Sequence, residues 1–163
     1  IIENISNLKN PKGRFDLINF KTNKIIVDYA HTPESISQVI KYVNPYFSKV
    51  VVLFGAGGNR DKEKRKLMGT ASQLADSVIV TNDNPRNEDP IQISNDILKG
   101  CDLSKTNVIL DRKEAITSAI NELKENSVLL VLGKGHEMYQ EINNSHIPFN
   151  DNDFINETIG GLI

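Results

Sequence analysis

The sequence predicts an α/β fold: a mostly parallel β-sheet covered by helices on both faces, with an antiparallel hairpin near the C-terminus. Three observations carry that prediction. Short β-branched runs recur along the chain, segments with apolar residues at helical spacing lie between them, and helix-capping or turn-forming residues mark the joins. The β-branched runs are apolar throughout rather than alternating, the pattern of strands buried on both sides in a parallel sheet.

Taken in order, Ile1 to Lys12 carry weak signals and read as a boundary inherited from a preceding domain. Ile25-Ile26-Val27 is the first strand. Thr32 then offers a hydroxyl to the amides of a first helical turn, and Pro33 fits the first helical position, where its missing N–H is not needed. Ile36, Val39, Ile40 and Val43 form that helix's apolar stripe. Val50 to Phe54 is the second strand, followed by a helix whose apolar face is read from Leu67, Ala71 and Leu74, and Val78-Ile79-Val80 is the third. Asp89 and Pro90 repeat the start signal before Ile91. Val108-Ile109-Leu110 is the fourth strand, and Asp111 with Glu114 has capping-box spacing ahead of Ile116, Ala119, Ile120 and Leu123. Val128 to Leu132 is the fifth. Tyr139 to Ile142 and His146 to Phe149 flank Asn143-Asn144-Ser145, which suits an antiparallel hairpin at the sheet edge. A last helix from about Asp153, carrying Phe154, Ile155 and Ile159, completes a Rossmann-like fold. With no internal repeat, low-complexity tract or linker, residues 1–163 are expected to form a single domain.

Composition narrows the function classes. Lys and Arg number 19 against 21 Asp and Glu, so no basic excess points to nucleic acid as a partner. A 39% hydrophobic and 25% charged chain is not of the disordered class. No apolar run approaches the roughly 20 residues of a membrane span, and the first thirty residues are too charged for a signal peptide. The expectation is a cytoplasmic protein with no membrane partner, and the single Cys101, unable to form an internal disulfide, agrees.

If the strands are parallel, the segments after Val27, Phe54, Val80 and Leu132 leave the sheet at one carboxyl edge, where open α/β sheets bind ligands. These segments hold the unusual chemistry. In Gly55 to Asp61, the glycines suit a phosphate or carboxylate held on backbone amides, and the alternative is a tight turn without a ligand. Arg60 can grip a carboxylate through two parallel bonds or form a surface ion pair with Asp61 or Glu63. Asp83-Asn84-Pro85-Arg86 sets an acceptor, an amide and a cation in one turn restrained by Pro85, a set that matches a zwitterion, though it also makes a plain β-turn. Gly133-Lys134-Gly135 is either an anion cradle or a loop with its lysine in solvent, and Glu137 can accept from an ammonium. Asp28 and His31 at a strand end can meet a ribose, a phosphate or a base edge, or serve structure alone. The glycine turn completes neither GxGxxG nor GxxxxGK[ST], no nucleophile elbow is present, and the three histidines lack metal-ligand spacing, so no metal site is expected.

Together, VDYAHTPES, FGAGGNRDKEKR, TNDNPRNEDP and LGKGHE, in this order and spacing, resemble the C-terminal domain of the Mur ligases, ATP-dependent enzymes that add amino acids to the peptidoglycan precursor. The resemblance runs from Gly13-Arg14-Phe15 to the final hairpin, and DNPR is similar to the motif of the members that add meso-diaminopimelate. It implies a diaminopimelate pocket formed by Arg60, Asp83, Asn84, Pro85, Arg86, Gly133 and Glu137, with Arg14, Asp28 and His31 on the ATP side. The arginines would hold carboxylate, and Glu137 with the Gly133 carbonyl would hold ammonium. Family chemistry would have ATP phosphorylate the D-glutamate side-chain carboxylate of UDP-N-acetylmuramoyl-L-alanyl-D-glutamate, the diaminopimelate amine then attacking the acyl phosphate. The magnesium that assists would be held mainly by a central ATPase domain absent from this chain, as is the N-terminal substrate-binding domain. No catalytic residue is therefore expected within the 163 residues, and the isolated domain is expected not to turn over ATP. Two alternatives stand beside this reading: a ligase of the superfamily adding lysine or glutamate to a different acceptor, and a non-catalytic module that binds an amino acid or nucleotide.

Overall fold

A computed structural model describes residues 13–162, so the boundary expected over Ile1 to Lys12 lies outside the described residues. Six strands form one sheet: β1 (Asp16–Phe20), β2 (Asn23–Asp28), β3 (Lys49–Phe54), β4 (Ser77–Val80), β5 (Thr106–Val108) and β6 (Ser127–Leu132). Their order is β1-β2-β6-β3-β4-β5, all parallel except β1, which runs antiparallel to β2 at the edge. The helices are α1 (Pro33–Val43), α2 (Glu63–Ser72), α3 (Pro90–Leu98), α4 (Arg112–Asn121) and α5 (Asp151–Gly160). A separate two-stranded sheet joins β7 (Tyr139–Ile142) to β8 (Ser145–Pro148).

The continuous apolar strands face two cores, as their pattern requires. On one side Ile26, Val52, Phe54, Val80 and Leu130 pack with Ile36 and Ile40 of α1, Met68 of α2 and Ile93 and Ile97 of α3. On the other, Ile25, Val27, Leu53, Leu129 and Val131 meet Ile116 and Ile120 of α4 and Ile155 and Ile159 of α5. The caps are those expected. The Thr32 hydroxyl accepts from the Ser35 amide while the Thr32 amide donates to the Ser35 hydroxyl, Asp89 accepts from the Ile91 amide, and Asp111 accepts from the Glu114 amide in a one-sided cap.

Five expectations need correction. The edge strand β1 was not foreseen, and it makes the sheet mixed. The fourth strand is Thr106–Val108 rather than 108–110, with Ile109 and Leu110 already leaving the ladder. The face of α2 is misread: Leu67 is 57% and Leu74 45% exposed, while Arg65, Met68, Gly69 and Ser72 are buried. The hairpin does not extend the main sheet; it is a sheet of its own, joined to the Asp83–Arg86 turn by a bridge between Arg86 and Ile142, and its second strand starts at Ser145. The last helix starts at Asp151 because Asn150, not a residue nearer Asp153, supplies the cap.

Candidate functional site

Strand register brings the four unusual turns together. Asp28 pairs with Leu132, Leu53 with Val131 and Phe54 with Val80, so β2, β6, β3 and β4 end level and their following turns share one rim. A cleft of about 330 Å³ opens there, lined among others by Arg60, Asp83, Asn84, Arg86, Gly133 and Glu137. His31 also lines it, whereas Pro85 is buried behind the wall. At Gly58 the glycine turn serves close approach of two backbone segments. A Cβ on Gly58 would stand 1.9 Å from the Pro85 carbonyl oxygen, the Gly58 amide donates to the Asn84 carbonyl (2.9 Å), and the Asn59 amide donates to Glu88 (3.0 Å). Those amides are occupied within the protein.

One side of the cleft is cationic. Arg60 is exposed at the mouth and forms no ion pair with a described residue, so the surface pair with Asp61 or Glu63 is not made. Arg86 is aimed by its surroundings. Its Nη1 donates to the Gly58 carbonyl (2.9 Å) and its Nε is ion-paired with Glu141 Oε2 (2.8 Å), while its backbone exchanges bonds with Glu141 and Asn143 of the hairpin. Its φ of 53° lies in the left-handed region, a conformation that costs a non-glycine residue on the order of 1 kcal/mol and is held here by those contacts. Of the five guanidinium N–H groups, one is committed to the Gly58 carbonyl, and the side chain lines the cleft.

The opposite side is acidic. Gly133, at φ 110°, places its Cα so close to Asp83 that an added Cβ would lie 2.6 Å from Asp83 Oδ2. Burial pushes the Asp83 carboxyl above the usual carboxylate range; Arg112 and Lys134 pull it down, and Glu137 and Asp151 add to the rise. Burial would also raise Glu137, but hydrogen bonds from Lys134 and Asn84 outweigh it and hold that carboxyl below its usual value. Lys134 is neither a cradle for an anion nor a lysine in solvent: it is 0% exposed, and its Nζ donates to Asn84 Oδ1, Glu137 Oε2 and the Tyr139 carbonyl.

Two buried arginines that sequence reasoning passed over hold these turns in place. Arg65 donates to both oxygens of Glu88 (2.8 and 2.7 Å), to Asp96 (3.1 Å) and to the Gly57 carbonyl (3.3 Å), fixing the glycine turn to α2 and α3. Arg112 forms a two-pronged pair with Asp151 (2.8 Å on each arm) and donates to the carbonyls of Asn82 and Leu132 (3.2 Å each), which lie where β4 and β6 run into the cleft. Both pairs are buried charge-assisted bonds with matched geometry. The only sequence signal was a lone arginine inside an otherwise charged helix start.

At the rim, the Arg14 guanidinium lies 5.7 Å from the Tyr29 ring centroid, and Tyr29 also contacts His31 and His136. His31 Nδ1 is 2.7 Å from the Tyr29 carbonyl. Asp28 differs from Arg14 and His31, because its two oxygens accept from the amides of Phe15 and Ala30, both at 2.8 Å. Among the described residues no group of three His, Cys, Asp or Glu side chains gathers to hold a metal, and no helix is long and apolar enough to cross a membrane.

A mostly parallel sheet with two helical layers and a charge-divided cleft at its carboxyl edge defines an α/β domain with a candidate ligand site. The chain belongs to the Mur ligase family: the family's "Mur ligase, glutamate ligase domain" matches residues 13–135. It is similar to the UDP-N-acetylmuramoyl-L-alanyl-D-glutamate--2,6-diaminopimelate ligases of Rickettsia montanensis, at 44% identity over 98% of this chain and 34% of that one, and of Aquifex aeolicus, at 44% over 93% and 32%. A solved structure of a ligase of the same name superposes with a TM-score of 0.89 at 37% identity, covering 99% of this chain and 34% of the other. A MurF ligase from Thermotoga maritima, at 21% identity and TM-score 0.59 over 81% of this chain and 30% of its own, shares the fold. The chain spans about a third of the length of the curated relatives it matches.

Proposed function

We propose that residues 1–163 are the amino-acid-delivering domain of an ATP-dependent, ADP-forming ligase that adds meso-diaminopimelate to UDP-N-acetylmuramoyl-L-alanyl-D-glutamate in cytoplasmic peptidoglycan synthesis. The observation that carries this reading is the division of one cleft into an arginine side and a carboxylate side. Diaminopimelate has two amino-acid head groups, hence two carboxylates and two ammonium groups. Arg60 takes one carboxylate and Arg86 the other, while Asp83, Glu137 and the Gly133 carbonyl accept from an ammonium. Asn84 sets the spacing between the two sides.

ATP and its magnesium, held mainly outside this chain, supply the activated acyl group on the acceptor. This domain contributes binding and orientation: it brings the free amine of the amino acid to attacking distance, which accounts for several orders of magnitude in rate. Arg14 and His31 are available to a nucleotide at the rim. Asp28 shapes that rim from behind, since its oxygens already accept from amides.

Lysine lacks the second carboxylate, so the Arg86 donors that Glu141 and the Gly58 carbonyl do not engage go without an anionic partner. An unpaired charged donor costs about 1–3 kcal/mol, a preference for diaminopimelate of about 5- to 150-fold. Calorimetric titration of the chain with each amino acid tests this. Diaminopimelate binds more tightly, and Arg86→Ala removes most of the difference; equal heats, or discrimination unchanged by Arg86→Ala, would overturn the assignment.

A further inference from the structure

We infer that Lys134 is a positioning residue that prepares the acidic side of the cleft, dictating the orientation of the Asn84 amide and engaging one oxygen of Glu137 so that the other faces an incoming ammonium. This deepens the proposed function and rests on it.

An ammonium has three protons, and buried Lys134 has three acceptors: Asn84 Oδ1 at 3.0 Å, Glu137 Oε2 at 2.8 Å and the Tyr139 carbonyl at 2.7 Å. No donor of this group is left for an anionic ligand. Asn84 Oδ1 also accepts from the Glu141 amide at 3.0 Å. Two donors on one atom require it to be the oxygen, so the Asn84 Nδ2 must turn the other way, and it donates to Glu137 Oε2 at 2.8 Å. The three side chains thus close a ring. Both bonds to Glu137 fall on Oε2, and no described residue donates to Oε1.

Charge explains why the ring needs a lysine. Asp83 and Glu137 face the same cleft, and two such carboxylates without compensation share a proton. Around Glu137 stand Lys134 and His136 from its own loop, Asp83 from the turn after β4, and the Arg112–Asp151 pair behind. Of these, only Lys134 hydrogen-bonds the Glu137 carboxylate among the described residues. It therefore keeps Glu137 ionised, ready for a cation rather than for a neutral amine.

The test compares the whole ligase carrying this domain with its Lys134→Met and Lys134→Gln variants. Expected is a rise of about 10- to 100-fold in KM for meso-diaminopimelate. kcat and KM for ATP stay within about 3-fold, and the pH below which KM climbs moves upward by about one unit or more. An unchanged KM, or equal losses in all three parameters, overturns the inference. Should neither variant fold, carboxyl-carbon NMR titration of the unaltered 163-residue chain decides: Glu137 titrates below an ordinary glutamate, and an ordinary or raised value refutes the role of Lys134. A ligase that rejects diaminopimelate would sink the substrate reading instead, and the NMR titration would still judge Lys134 separately.

Discussion

Removing Asp151 while leaving Arg112 in place isolates a fully buried ion pair beneath the cleft. Both side chains have no solvent exposure, and the pair is bonded on two arms at 2.8 Å. Asp151→Ala therefore strands a guanidinium in the core, a loss of about 3–5 kcal/mol. With a urea slope of about 2 kcal/mol/M, the unfolding midpoint falls by about 1.5–2.5 M. Replacing both residues, Arg112→Met with Asp151→Ala, removes the stranded charge. What remains is the loss of donors to the Asn82 and Leu132 carbonyls, so the double variant should lie only about 1–3 kcal/mol below the parent. The double variant is thus expected to match or exceed the stability of Asp151→Ala alone. The chain has no Trp, so far-UV circular dichroism is the suitable probe. A loss below about 1 kcal/mol in Asp151→Ala, or simply additive single and double effects, would refute the reasoning.

Other outcomes follow from the same contacts. Gly133→Ala meets both a φ of 110° and the Asp83 carboxylate, and should abolish amino-acid binding while the far-UV spectrum stays folded; unimpaired binding by calorimetry would contradict that geometry. Leu67→Gln should change stability by no more than about 0.5 kcal/mol, whereas Met68→Ala one position on should cost about 2–5 kcal/mol, both read from urea midpoints. Glu88 is held far below its ordinary 4.5, first by the hydrogen bonds of Arg65. A depressed folded value means that its contribution is complete above about pH 4.5 and is lost as pH falls from there toward that value. Glu88→Gln should accordingly start less stable at pH 7 and lose less between pH 4.5 and 3; an acid limb as steep as the parent's would count against the Arg65–Glu88 account.

Where the sequence was legible, one physical rule sufficed. Strands buried on both faces write themselves as unbroken apolar runs, and capped helices announce their first turn, so β2, β3, β4, β6 and the starts of α1, α3 and α4 could be read directly. The edge strand β1 escaped because Asp16-Leu17-Ile18-Asn19-Phe20 mixes polar residues with an exposed Leu17, and because its hairpin turns on Lys21-Thr22, with Lys21 at φ 52°, rather than on a glycine or asparagine. The face of α2 escaped because its buried side includes Arg65, which composition alone assigns to solvent. The site was legible for the groups facing the cleft, since they cluster at strand ends. Its supports were not. Arg65 finds Glu88 23 residues away, Arg112 finds Asp151 39 away, and Lys134 finds Asn84 50 away, separations at which no local pattern distinguishes a buried charge from a solvated one.

The occupied amides of the glycine turn bear on how such a cleft diversifies. With the Gly58 and Asn59 N–H groups bonded internally, these two amides take no part in recognition, which leaves more of it to the side chains mounted on strand ends. Under the proposed function, exchanging one amino-acid cargo for another then requires point replacements at a few positions and little redrawing of the backbone, so a single scaffold can be retuned to new building blocks while its folding stays untouched.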